Sequence, residues 1–340
     1  MIMKKSGLFA LTALIPAFMS TLLIALSGCA PPAGRDEIKL AAISANVMGL
    51  FFVADGRRLF EKNGLSPALK VYQSGPLGLK HLEEGTADVA TAADFAFVAH
   101  SFKASNLRVI GAIGKGGGMQ IIARRGRGIA KPADLQGKTV AVPKGTVAQF
   151  FLGAYLQRNG IPYQKVRAVY LPPAEVVEAM RKGTATAACV WSPYIEEIRD
   201  ILGKEAVFLQ SHGRTDYYAL LVTRDDVIRE RPAVLEKLLK AMSDAEAFTK
   251  AHPEEAMGII AKATGLTMDQ VRRGWSENKY EVRMDQGLLA LMEAEAHWMI
   301  RNNLTSKRKM PNFLDLIDVR AMKAVKPEAI GIIHRESDRH

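Results

Sequence analysis

Val140-Ala141-Val142-Pro143-Lys144-Gly145-Thr146-Val147-Ala148-Gln149 holds the residues best placed for chemistry in this chain. It offers hydroxyl and backbone N–H groups rather than an acid–base pair. The β-favouring Val140 to Val142 run into Pro143, which has no N–H to continue a strand ladder. Gly145 permits a tight turn. Thr146 and Gln149 have capping-box spacing, and the apolar-rich stretch Val147–Leu156 follows. A turn of this kind, at the C-terminal end of a strand, aims N–H groups into open space and can hold a negative or polar ligand group. The same residues equally suit an ordinary turn in which Thr146 only caps its own helix. Lys144 is the nearest fixed cation.

Other positions share this character. Asn46 offers a donor and an acceptor, either to a ligand or to its own turn. Ser74 and Gly75 stand at a helix start, as cap or as ligand contact. Asp94 is either an N-cap or a cleft carboxylate, which would repel an anion and favour an amine or amidine. Trp191 either stacks on a planar or alkyl ligand portion or packs a hinge. Tyr217 and Tyr218 open an apolar strand from which one ring can reach a cleft.

Signatures of catalysis are missing from the sequence. There is no Gly-x-Ser-x-Gly elbow and no His-Glu-x-x-His helix. The seven histidines (81, 100, 212, 252, 297, 334, 340) are scattered without ligand spacing, so neither metal nor cofactor is expected. Cys189 lies in the apolar run Ala185–Trp191 and reads as a small core residue. The Gly114–Gly118 run lacks Walker spacing and a following helix, and reads as a flexible link. The expectation is a binder rather than an enzyme.

These residues sit between alternating strands and helices. Strands are expected at Ile38–Ile43, Leu69–Tyr72, Asp88–Ala92 and Leu107–Ile113, then at Met119–Ala123, Val140–Val142, Val166–Leu171, Ala185–Val190 and Tyr217–Thr223. Helices are expected at Gly49–Asn63, from Ser74 to Gly85, at Phe95–Lys103, Val147–Leu156 and Pro172–Lys182, and from Trp191 onward. Such alternation predicts an α/β fold with parallel-core sheets flanked by helices. Beyond Asp225 helical patterns dominate, punctuated by Pro232, Pro253, Pro311 and Pro327. Glu84-Gly85-Thr86-Ala87-Asp88-Val89-Ala90 echoes Lys182-Gly183-Thr184-Ala185-Thr186-Ala187-Ala188, at the same point of an αβ unit. Two similar halves imply a cleft between them.

The chain has 340 residues, 48% hydrophobic and 24% charged, as in soluble globular proteins. Its net charge is +11; Lys and Arg are spread along the chain, much of the excess lies in the last forty residues including Lys307-Arg308-Lys309, and no basic stretch is interleaved with aromatics, so nucleic acid is not an expected partner. Lys4 and Lys5 precede an apolar run from Leu8 to Leu26, the pattern of an export signal. The run ends in Leu26-Ser27-Gly28-Cys29, which resembles the bacterial lipoprotein signal. That resemblance implies a signal peptide over 1–28, lipidation of Cys29 and a tether over 29–35. The body would then be held at a membrane, facing the periplasm or the cell exterior.

The mature chain resembles the substrate-binding proteins of bacterial ABC importers, in the group that binds nitrate, sulfonates, taurine and thiamine precursors. The resemblance rests on Leu50-Phe51-Phe52-Val53-Ala54, Phe60-Glu61-Lys62-Asn63-Gly64-Leu65, Ser74-Gly75 and Gly85-Thr86-Ala87-Asp88-Val89. It continues through Asp134–Thr146 and Val190-Trp191-Ser192-Pro193-Tyr194. It departs at Thr186, where the family often carries Asp. It implies a two-lobed fold with two hinge strands: lobe I from 36–120 plus 219–340, lobe II from 121–218. Pocket loops then fall at Ser44–Asn46, Ser74-Gly75, Ala93–Phe95 (including Asp94), Gly145–Val147 and Trp191-Ser192, with Tyr217 on the return strand. No arginine falls in these loops. The turn at Gly145 and Thr146 becomes one half of a clamp, with the Gly145 and Val147 N–H groups facing the cleft. The implied partners are a small polar solute, an ABC permease with its ATPase, and a membrane reached through the lipid; the chain is expected to be a monomer. A thiamine-precursor pyrimidine is the alternative ligand, and an exported enzyme on the same fold the alternative class.

Overall fold

The computed structural model describes residues 34–103, 106–117, 119–209 and 215–333. The expected signal peptide and Cys29 lie outside the described residues. So does Gly118.

The strands are β1 (Asp36–Ile43), β2 (Leu65–Tyr72), β3 (Val89–Ala93), β4 (Leu107–Gly116) and β5 (Gln120–Arg124). After them come β6 (Thr139–Val142), β7 (Arg167–Tyr170), β8 (Ala187–Val190), β9 (Ala206–Leu209) and β10 (Tyr217–Arg224). They form two five-stranded sheets, ordered β2-β1-β3-β10-β4 and β7-β6-β8-β5-β9. Each sheet has a parallel core of three strands. The fourth strand of each is antiparallel to its neighbours: β5 opens the second sheet, and β10 returns to the first after the second is complete. The sheets are therefore mixed, and the crossing strands β5 and β10 are what make them so.

The helices are α1 (Gly49–Gly56), α2 (Leu59–Lys62), α3 (Gly75–Glu83), α4 (Asp94–Ser101), α5 (Val147–Arg158), α6 (Pro173–Lys182) and α7 (Tyr194–Leu202). The C-terminal part adds α8 (Asp225–Glu230), α9 (Pro232–Ala251), α10 (Pro253–Thr264), α11 (Met268–Trp275), α12 (Gln286–Arg301) and α13 (Arg320–Val325). Strands β3, β6 (but for half-buried Thr139) and β8 are buried, as befits strands covered on both faces. The edge strands β2 and β7 alternate or are open to solvent.

The echo seen in the sequence is one turn built twice. Gly85 and Gly183 take left-handed φ of 68° and 70° and end α3 and α6. Thr86 and Ala87 both donate to His81 O, and Thr184 and Ala185 both donate to Ala179 O. The Asp88/Thr186 difference falls on strand starts. Asp88 Oδ2 accepts from Lys39 N at 2.8 Å, whereas Thr186 Oγ1 donates to Thr139 O at 2.9 Å. Each side chain pins the start of its own sheet.

Several expectations change. The helix over Gly49–Asn63 is broken into α1 and α2, because Arg58 adopts φ of 55°. The strand expected to begin at Leu69 begins at Leu65 despite Pro67, which an edge strand tolerates. The supposed link at Gly114–Gly116 is the end of β4. A Cβ on Gly114 would lie 2.6 Å from Val47 O, so glycine there admits close approach of two backbones. Strand β9, short and half-buried, carries no alternation strong enough to have been predicted.

The two halves also touch through aromatic rings. Phe95 of α4 stacks on Phe150 of α5 at 5.6 Å, and Trp298 of α12 sets its edge against both. A Cβ on Gly153 of α5 would sit 2.0 Å from Trp298 Cζ2. Gly153→Val should therefore displace Trp298 and cost about 1–3 kcal/mol, the usual range for overpacking. Urea unfolding checks this; an unchanged midpoint would show that the indole is not held there.

Candidate functional site

The loops that follow β1, β2, β3, β6 and β8 meet at one place, the C-terminal ends of the parallel strands of both sheets. Open α/β sheets bind ligands at such ends. The first sheet contributes Ile43, Ala45, Val47 and Met48 after β1, Gly75 and Pro76 at the start of α3, and Ala93 and Ala96 around the start of α4. The second contributes Thr146 and Val147 at the start of α5, and Trp191 after β8. Met119 and Tyr217, beside the crossing strands, close the ring. The walls are close: a Cβ on Gly145 would lie 3.7 Å from Pro76 Cγ. About 20 Å³ of this inner cavity is open to the centre of a water molecule, roughly enough for one.

Past Ala45, Met119, Trp191 and Tyr217 the cavity widens to about 60 Å³, where Asn46, Ser192, Gly274 and Asn278 join the lining. It then reaches an outer chamber of about 390 Å³ between α7 and α11. There Ser192, Glu196 and Arg199 face Gln270, Arg273 and Glu277.

The expected site residues divide accordingly. Gly75, Thr146, Val147, Trp191 and Tyr217 share the inner cavity, and Asn46 and Ser192 line the space beyond it. Ser44, Ser74, Asp94, Phe95 and Gly145 line none of these three spaces. Ser44 donates its N–H to Tyr72 O. Ser74 is the N-cap residue of α3, extended at φ −155°, without a side-chain cap bond. Phe95 is spent on the aromatic cluster.

The turn before α5 differs in detail from its expectation. Thr146 is the N-cap residue, yet its hydroxyl donates back to Pro143 O at 2.8 Å instead of accepting from the helix. Gln149 Oε1 takes the Gly145 N–H at 2.8 Å, with Gly145 at φ 68°. No capping box forms, and the Gly145 N–H is turned inward rather than toward the cleft. What remains for a ligand is the helix start itself, whose first N–H groups have no partner within the helix. Trp191 adds a second donor. It is 8% exposed, and among the described residues its buried indole N–H has no partner. Asn46 Oδ1 is occupied, accepting from Tyr280 OH at 2.9 Å.

Asp94 is buried behind the cavity. Its Oδ1 accepts from Phe95 N and its Oδ2 from Tyr218 N, both at 2.8 Å. Burial raises its pKa to about 7, against the lowering pull of these bonds. Glu295 of α12, wholly buried beside it, is pushed well above the usual carboxylate range by burial and by Asp94. Cys189 is fully buried, its Sγ set 3.2 Å from Ala148 O, and burial pushes its thiol pKa up. It is not on the cavity and has no thiolate to offer. No group of three His, Cys, Asp or Glu able to hold a metal occurs among the described residues.

Sequence reading did not reach Glu196, Arg199, Arg273 or Glu277. The absence of arginine from the expected loops gives way to two at the outer chamber. Their signal was spacing: Glu196 and Arg199, like Gln270 and Arg273, are three residues apart and so share a helix face, with Ser192 and Glu277 in the turns that flank those helices.

A strand returned to the first sheet, paired αβ halves and a cavity walled by helix starts beside both sheets define a two-sheet binding-protein fold. A search of known proteins agrees. A profile described as NMT1/THI5-like matches residues 45–256, and the chain belongs to that family. A binding protein of Brucella abortus is 26% identical over 213 residues, covering 62% of this chain and 66% of that protein. The taurine-binding periplasmic protein of Escherichia coli is 29% identical over 146 residues, covering 41% and 45%. A 2'-hydroxybiphenyl-2-sulfinate desulfinase of Rhodococcus erythropolis is 23% identical over 128 residues, covering 37% and 35%. Among solved structures, the alkanesulfonate-binding protein of Xanthomonas axonopodis pv. citri, bound to MOPS, superposes with a TM-score of 0.73. It is 18% identical and covers 85% of this chain and all of its own. This is the periplasmic-binding-protein fold.

The Asp94 and Glu295 carboxyls make stability depend on pH. Asp94 has a folded pKa of about 7, above its ordinary 3.8. The folded chain therefore binds more protons than the unfolded chain between those values. The contribution is complete below the unfolded value and is lost as pH rises through the folded one. Glu295 acts in the same direction. Melting temperatures taken from about pH 4 to about pH 8 should fall less steeply for Glu295→Gln than for the wild type. Equal slopes would show that the pair does not titrate in this window.

Proposed function

We propose that this protein is an exported solute-binding protein that captures a small organic solute with a sulfonate-type head and delivers it to an ABC permease. The carrying observation is that the starts of α3 and α5, one from each sheet, meet across one cavity beside the unpartnered Trp191 N–H. Helix starts favour anionic groups through their free N–H donors and dipole. The head group lies between Gly75, Thr146 and Val147, and the apolar body lies along Val47, Met119 and the Trp191 ring. Residues 36–120 and 219–340 act as lobe I and 121–218 as lobe II, pivoting where the chain crosses into β5 and β10. Opening admits the solute to a cavity otherwise sized for water, and the solute selects the closed state by its higher affinity for it. The sulfonate- and taurine-binding relatives support this reading. The apolar run and Leu26-Ser27-Gly28-Cys29 support export and a lipid anchor. Among the described residues no helix is long and apolar enough to cross a membrane.

A planar thiamine-precursor pyrimidine is the second reading, favoured by the Trp191 ring on the cavity wall. An enzyme reading follows from the desulfinase relative, but Cys189, the free cysteine among the described residues, is sealed away from the cavity.

A thermal-shift screen with ethanesulfonate, taurine, nitrate and an aminopyrimidine tests the proposal. A bound ligand at a hundredfold excess over Kd adds about 2.7 kcal/mol of stability, which a melting curve registers. Trp191→Phe keeps the ring and deletes the N–H, and should weaken sulfonate binding about tenfold. No shift with any sulfonate, together with sulfite release from an aryl sulfinate, would replace the binder with an enzyme.

A further inference from the structure

We infer that Glu196 selects solutes that carry a cationic or N–H-donating nitrogen at the end opposite the head group. The inference rests on the binding reading above, and extends it to the outer chamber.

Glu196 lies in the first turn of α7. Its Oε1 accepts from Ser192 Oγ at 2.8 Å, which fixes the carboxylate in orientation. Its Oε2 is buried and, among the described residues, has no hydrogen-bond partner. A carboxylate oxygen taken out of water without a donor costs stability. Nothing on its own helix removes that cost. The N-cap position of α7 is Pro193, with no side-chain cap bond, so the oxygen does not serve the helix end. Arg199, one turn further on, spends Nε and Nη2 on Asp200 Oδ1. A donor from a bound solute would satisfy the oxygen.

The place of Glu196 on the path supports this role. Ser192, its hydrogen-bond partner, follows Trp191 directly and lines the space between the inner cavity and the outer chamber. Adjacent Cα atoms are about 3.8 Å apart, so the residue that holds Glu196 Oε1 stands next to the one that walls the head site. The chamber's charges come from both halves: Glu196 and Arg199 on α7, Arg273 and Glu277 on or just after α11. Two acids and two guanidinium groups suit a solute whose own charges balance. A simple alkyl tail would leave Glu196 Oε2 without a partner, and that difference is the basis of selection.

Calorimetric titration of the purified full chain with matched pairs tests the assignment. The pairs are ethanesulfonate against 2-aminoethanesulfonate, and propanesulfonate against 3-aminopropanesulfonate. The wild type should bind the amino member of a pair at least about tenfold more tightly, as expected for a buried charge-assisted bond. In Glu196→Gln that ratio should fall to about threefold or less, with the melting temperature of the free variant confirming that it is folded. Glu196→Asp, which keeps the charge, should retain part of the preference. Equal binding of both members by the wild type, or an undiminished ratio in Glu196→Gln, overturns the role of Glu196 while leaving sulfonate capture intact. Binding of no sulfonate at all overturns the underlying reading and this inference with it.

Discussion

Asp94 fixes the returning strand β10 against the start of α4 from a position with no water around it. One oxygen accepts from the start of its own helix, the other from Tyr218 on the crossing strand β10. This second bond decides which face of β10 meets the cavity. Side chains alternate along a strand, so holding Tyr218 by its N–H lets the neighbouring Tyr217 turn its ring to the cavity wall. Burial raises the proton affinity of both Asp94 and Glu295, and Asp94 raises that of Glu295 further, so the bond geometry is kept at that electrostatic cost. A residue that looked like a candidate ligand contact is instead the support behind the wall.

The parts of the cleft follow a simple division. Helix starts supply donors for an acidic group, and small or apolar side chains keep water out around them, where such donors act most strongly. The polar side chains that could compete for those donors are bonded elsewhere: Thr146 to Pro143, Gln149 to Gly145, Asn46 to Tyr280. A fixed set of internal bonds leaves few groups free, and these are what can confer selectivity.

Much of the fold was legible because its signals are local. The αβ turns at Gly85 and Gly183 announce themselves by glycine at a left-handed position followed by an apolar run. The pocket loops after β1, β2, β3, β6 and β8 follow from strand ends, so Gly75, Thr146, Val147 and Trp191 could be placed without coordinates. Ser44 and Ser74 could not be excluded on the same grounds, since chain position does not say which way a side chain points. The outer chamber was illegible for a different reason. It faces α7 with α11, helices about seventy residues apart in the sequence, and only the return of the chain to the first sheet through β10 brings them together. Likewise Thr146–Gln149 spacing fits a capping box, but the extra turn residue Gly145 captured the glutamine first.

The return of β10 to the first sheet also constrains how the chain can be made. Asp94 and Tyr218 are separated by 124 residues, and β3 pairs with β10 along one whole edge. During synthesis the first sheet therefore waits, its inner edge open, until nearly all of the second sheet has been produced. The first sheet is not a finished object without β10. A truncated product ending before Tyr217 carries an unsatisfied strand edge and a missing core layer, the kind of surface that recruits other chains. Interlacing of this sort ties completion of the binding surface to completion of the polypeptide, so that a partial chain has no cleft to offer.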